Sequence, residues 1–306
     1  MHLFLPIAGG SISVLIPFGL GGLVGLLSGM FGVGGGFLMT PLLIMAGIPP
    51  TVAAASDSCQ IAAASASGTF AHARMGNVDY KLGVLMLFGG IAGGAVGVQV
   101  VKLLRQMGNA DFAIMLTYVV VLGLIGSYMF AESYRALRGR RAKDGASAGK
   151  PSGYGRLLAR LPFQMEFAKS GIRHSVFVPF VLCMLVGVLA AVMGVGGGFI
   201  MIPAMVYLLR MPMHVAVGTD LFQILFTCSG VTLMQAYSNH TVDFVLAILL
   251  ALGSTLGAQL GARIARKLRG EQLRIILSVI VILVTFKMFY GLVATPDNLL
   301  SFAKGH

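Results

Sequence analysis

Long apolar stretches separated by short polar breaks fill most of the chain, at approximately 11–29, 37–48, 51–73, 82–104, 112–131, 174–193, 199–209, 213–236, 244–262 and 273–294. A helix rises 1.5 Å per residue and the hydrocarbon core of a bilayer is about 30 Å thick, so a spanning helix needs roughly 20 apolar residues. Most of the stretches reach that length. The two short ones, 37–48 and 199–209, would rise only about 16–18 Å, so they cross obliquely with borrowed residues or stop midway. The stretch 132–173 breaks the pattern, being basic throughout and rich in Gly and Ser between Gly145 and Gly155. It reads as a solvent-side linker. Its second half, with Leu157, Leu158, Leu161, Phe163 and Phe167 among Arg156, Arg160 and Lys169, has a composition suited to the membrane surface.

The pattern also repeats. MFGVGGGFLMTP (30–41) returns as VMGVGGGFIMIP (192–203), identical at eight of twelve positions. IPPTVAAASDSCQI (48–61) matches MPMHVAVGTDLFQI (211–224), which pairs Asp57 with Asp220 and Gln60 with Gln223. The triplets Val78-Asp79-Tyr80 and Val242-Asp243-Phe244 then align at the head of two further apolar stretches. The predicted organisation is a first membrane repeat at 1–131, a basic cytoplasmic linker at 132–173 and a second membrane repeat at 174–306. Each repeat holds five segments, an odd number, so the second should lie inverted in the membrane.

Composition supports the solvent and charge supports the orientation. With 57% hydrophobic residues, 10% charged and a mean hydropathy of +0.89, the chain cannot cover a water-facing surface. Soluble enzymes, disulfide scaffolds and disordered regulators are excluded. The net charge of +12 would suit a nucleic-acid binder only if it formed a face, and it does not. Ten of the 22 Lys and Arg lie between Arg135 and Arg173. With that linker inside, the cytoplasmic loops carry eighteen, against four outside: Lys102, Arg105, Lys287 and Lys304. Both termini then face outside. Cys59, Cys183 and Cys228 all lie in apolar runs without metal-ligand spacing, so neither a metal nor a cofactor is expected. The first span has no basic leader or small-residue cleavage site of a signal peptide.

Three motif classes carry candidate chemistry. Gly32 to Phe37 and Gly194 to Phe199 are not a dinucleotide fingerprint, because Phe stands at the final glycine position and no strand precedes it. Consecutive glycines at membrane depth release the chain from helix and expose N–H groups, which is tolerated only inside protein or against a cavity. Gly34, Gly35, Gly36 and Gly196, Gly197, Gly198 therefore serve either anion binding or close helix crossing. Asp57 and Asp220 are ionisable groups within apolar runs, costly unless used. They read as helix caps that break their segments or as proton-coupling groups. Ser56, Gln60, Thr219 and Gln223 flank them, and the neutral amides suit oxyanion recognition. Glycines at four-residue spacing (Gly21/Gly25/Gly29, Gly89/Gly93/Gly97, Gly253/Gly257/Gly261) read as helix-packing faces.

With the doubled glycine motif, the Asp/Gln pairs and the Val-Asp-aromatic triplets, the chain resembles the TauE/SafE-type sulfite exporter family over about 10–294. The resemblance implies a multi-pass permease of the bacterial inner membrane for sulfite, sulfoacetate or related organosulfonates. It further implies that the glycine runs and the two glutamines surround the substrate near the midplane. The expected fold is an all-α polytopic membrane protein of about ten segments in two inverted five-segment repeats. The expected partners are a small anion and the lipid bilayer, with no nucleic acid. A passive anion channel, or an intramembrane enzyme pairing Asp57 with Asp220, are the competing readings.

Overall fold

The structure, a computed structural model, describes residues 2–5, 7, 10–31, 36–137, 164–167, 172–209, 211–265 and 270–293. Helices follow the apolar stretches closely. In the first half these are α1 (Leu15–Phe31), α2 (Gly36–Met45), α3 (Pro50–Arg74), α4 (Tyr80–Gln106) and α5 (Ala110–Leu137). In the second half they are α6 (Phe177–Met193), α7 (Gly198–Pro203), α8 (Met213–Ser238), α9 (Phe244–Ala265) and α10 (Gly270–Val293). A π-helical turn, Ala204–Leu208, continues α7 past Pro203, whose ring cannot donate to the helical ladder.

By length and composition, four described stretches suffice to cross a membrane: Tyr80–Gln106, Ala110–Tyr128, Met213–Ser238 and Phe244–Gly261. Shorter apolar helices, among them Leu15–Ser28 and Phe177–Met193, pack around them. The ten residues of α2 rise about 15 Å, half a bilayer core. The outward faces are apolar: Phe88, Leu124, Leu185, Leu252, Leu283 and Phe286 are all exposed. So much apolar surface outside, over an interior containing buried Asp57, Gln60, Asp220 and Gln223, belongs to a multi-pass membrane protein.

Two antiparallel hairpins were not expected from the hydropathy pattern. β1 (His2–Leu5) pairs with β2 (Gly10–Ser13) just before α1. β3 (Gln164–Phe167) pairs with β4 (Ile172–Ser175) just before α6, so the end of the supposed linker is strand. Residues 138–163 and 168–171 of that linker lie outside the described residues, while its first residues extend α5 to Leu137.

Helices of one half pack chiefly on helices of the other. α1 lies against α9, α4 against α6, α3 against α8 and α5 against α10. The four-residue glycine spacing explains two of these contacts. A Cβ at Gly257 would fall on the Gly22 carbonyl, and one at Gly93 on the Met184 carbonyl, so backbones touch along these glycine stripes.

Candidate functional site

The site is built along α3 and α8. Ser56 sits near the start of α3, and its hydroxyl accepts the N–H of Asp243 at 3.1 Å, just beyond the end of α8. Thr219 sits near the start of α8, and its hydroxyl accepts the N–H of Asp79 at 3.0 Å, just beyond the end of α3. The two helices therefore run antiparallel. Their middles meet where Ile61, Ala62, Ile224 and Cys228 form a small buried cluster.

Polar side chains line the α3–α8 seam on either side of that cluster. Asp57 is wholly buried and its Oδ2 accepts the Thr40 hydroxyl of α2 at 2.8 Å. One turn on, Gln60 donates through Nε2 to Ser254 Oγ of α9 at 2.7 Å. Ser254 spends its own proton on the Ala251 carbonyl, so it can only accept from Gln60. In the second half, Gln223 donates to Thr227 on its own helix at 2.7 Å. The difference has a sequence cause: Gly90, which aligns with Ser254, offers no hydroxyl, and a Cβ there would meet the Gln223 amide and Thr227. Likewise Ile202 stands where Thr40 would be needed beside Asp220. Among the described residues, Asp57 Oδ1, Gln60 Oε1 and Asp220 Oδ1 are buried without a hydrogen-bond partner.

The glycine motifs border this seam. Gly194, Gly196 and Gly197 all hold positive φ, between 73° and 83°, which side-chain-bearing residues rarely adopt. A Cβ at Gly194 would strike the backbone of Ala54 on α3, and one at Gly196 would press on Ile61, Ile224 and Cys228. Gly198 opens α7, and Gly36 opens α2 against the side chain of Ile61 and the Val195 carbonyl. Gly34 and Gly35 lie outside the described residues. Phe37 and Phe199, the equivalent residues closing each motif, stack on one another with centroids 5.1 Å apart and planes 18° apart.

The helix-cap reading of Asp57 and Asp220 is corrected. α3 and α8 run without interruption through both positions, so the N–H groups beyond each aspartate are already bonded within the helix. The aspartates that do cap helices are in the aligned triplets: Asp79 Oδ1 accepts the Leu82 N–H at the start of α4. Asp243 Oδ1 accepts the N–H groups of Val245 and Leu246 at the start of α9. The triplet repeat was the visible signal. No sequence signal distinguished Thr40 or Ser254 from ordinary small residues of apolar helices. A paired-carboxylate centre is not formed either. Asp57 lies toward the Asp243 end of the seam and Asp220 toward the Asp79 end, with the apolar cluster between them.

The seam thus brings amide donors and buried acceptors together within apolar walls, with the first turn of α2 beside it. Comparison with known proteins gives this arrangement its context. The family model described as "Sulfite exporter TauE/SafE" matches residues 17–288. The "Probable membrane transporter protein YunE" of Bacillus subtilis (strain 168) is 26% identical over 288 residues, 92% of this chain and 98% of that one. A "Probable membrane transporter protein" of Xylella fastidiosa (strain 9a5c) is 26% identical over 243 residues, covering 79% and 80%. "Sulfite exporter TauE/SafE family protein 6" of Arabidopsis thaliana is 47% identical over 60 residues, 20% of this chain and 12% of that one. No solved structure matches the chain. With a family model covering nearly all its helices, the chain belongs to the sulfite exporter TauE/SafE family and is a membrane transporter, not an enzyme.

Proposed function

We propose that the protein carries a small sulfur-containing oxyanion, of the sulfite, sulfoacetate or organosulfonate class, across a bacterial inner membrane by alternating access. The observation that carries the reading is the pair Gln60 and Gln223. They are equivalent in the two halves, buried on the facing helices α3 and α8, and each commits one amide N–H to a neighbouring hydroxyl. The second N–H of each is available to an oxyanion, and neutral donors release an anion more readily than a buried cation would. The names of the Arabidopsis relatives support the substrate class and the bacterial relatives support the setting.

Two five-helix repeats of inverted topology supply the moving parts. The antiparallel α3–α8 pair, the exchanged packing of α1 on α9 and of α6 on α4, and the stacked Phe37–Phe199 pair all support that symmetry. Ser56 and Thr219 belong to the site's ends, with their oxygens engaged by the opposite half. Asp57 and Asp220 are the candidate proton-coupling groups, since no Lys or Arg is buried beside them among the described residues. In proteoliposomes, Gln60→Ala with Gln223→Ala is expected to lower sulfite or sulfoacetate flux at least tenfold while the protein stays folded. Unchanged flux rejects the site. Asp57→Asn and Asp220→Asn are expected to blunt the response to an imposed pH gradient, and a full response in both removes proton coupling.

A further inference from the structure

We propose that the contacts Ser56–Asp243 and Thr219–Asp79 are the two gates of the transporter, one at each membrane face, closed by a hydroxyl of one half holding the helix-capping residue of the other. This inference rests on the alternating-access reading and specifies which residues open each side.

The geometry is symmetric in its parts and opposite in its position. In each contact the hydroxyl immediately precedes the buried aspartate of α3 or α8, and the donor is the backbone N–H of the aspartate that starts α4 or α9. Between Ser56 and His72, against which Gly218 of α8 packs, α3 rises about 24 Å, so the contacts lie toward opposite ends of the seam. Between them lie Asp57, Gln60, Gln223 and the Cys228 cluster. Both hydroxyl residues are wholly buried, and Asp79 and Asp243 are also buried, although each stands at a helix start near a membrane face. Burial keeps these N–H groups out of reach of bulk water.

The Asp243 contact has a further layer. The N–H of Ile7, in the β1–β2 hairpin, donates to Asp243 Oδ2 at 3.4 Å, so the hairpin rests on the same residue. Separating Ser56 from Asp243 would release the start of α9, with the hairpin that rests on it, from α3 at that face. Separating Thr219 from Asp79 would release the start of α4 from α8 at the other. The hydroxyl link in each gate is one neutral hydrogen bond, a modest hold that suits a gate that must open in every cycle.

Cys228 supplies the readout, being 1% exposed at the centre of the seam. With Cys59→Ser and Cys183→Ser in the full chain, a membrane-impermeant thiol reagent is applied to one face of sealed vesicles at a time. The parent should react slowly from both faces. Ser56→Ala should raise the rate about fivefold from the Asp243 face only, and Thr219→Val about fivefold from the Asp79 face only, the shift expected from losing one net hydrogen bond. Ser56→Thr and Thr219→Ser, which keep the oxygen, should react as the parent does. Equal acceleration from both faces, or none, overturns the gates and leaves alternating access standing. A parent that reacts fast from both faces at once overturns alternating access, and the gates with it.

Discussion

At the scale of single residues, the seam is held by short polar links whose loss is felt because nothing replaces them in an apolar interior. Thr40 is the clearest case. It gives Asp57 its only hydrogen-bond donor among the described side chains, and both residues are completely buried. Thr40→Val keeps the shape and removes the hydroxyl donor to Asp57. The expected cost is about 1–3 kcal/mol, read as a lower melting temperature in detergent. Asp57→Asn retains an acceptor for Thr40 and should cost less. If Thr40→Val melts no lower than Asp57→Asn, the Thr40 hydroxyl does not support the site. The capping aspartates have a different signature. Asp243→Ala removes the acceptor for the Val245 and Leu246 N–H groups and should cost about 1 kcal/mol, whereas Asp243→Asn or Ser should recover most of it in the same melting assay.

At the scale of elements, close backbone approach between halves fixes the helix pairs. Gly257 of α9 lies where any Cβ would strike the Gly22 carbonyl of α1, while Gly230 of α8 has open space around its Cβ position. Gly257→Ala should therefore destabilise by about 1–3 kcal/mol through overpacking. Gly230→Ala should be neutral or stabilise by up to about 1 kcal/mol through helix propensity. A melting series in which the two behave alike would show that the α1–α9 contact does not depend on the glycine stripe. These stripes were legible in the sequence because four-residue spacing puts glycines on one helix face whatever the partner. The helices were legible because apolar length reports the bilayer. The breaks expected at Asp57 and Asp220 were not real, since a polar residue that would end a helix in water is satisfied here by a distant partner such as Thr40. The hairpins escaped because four-residue strands beside apolar runs leave no period of their own in the hydropathy.

At the scale of the whole molecule, one property decides whether the two halves work as opposed gates: equivalent points on α3 and α8 must face opposite sides of the membrane. Met75 follows the end of α3 and Tyr237 lies at the end of α8, and both side chains are exposed. If the halves were parallel, these positions would share one compartment. The charge bias says otherwise: the turn after α3 is flanked by Arg74, the last residue of that helix, and Lys81, the second residue of α4, while the equivalent stretch from Ser238 to Val245 carries neither Lys nor Arg. Asp79 and Asp243, the residues that close the two ends of the seam, lie in these same two loops. Orientation by charge and closure by hydrogen bond thus depend on the same pair of loops. In a chain with its three cysteines replaced by serine, Tyr237→Cys should react with an impermeant maleimide added to intact cells. Met75→Cys should react only after the membrane is permeabilised. Met107→Cys, exposed beyond the end of α4, should behave like Tyr237→Cys, because the proposed inverted topology has α4 return from the inner face to the outer. Labelling of Met75→Cys and Tyr237→Cys from the same face would make the halves parallel and leave both gates on one side.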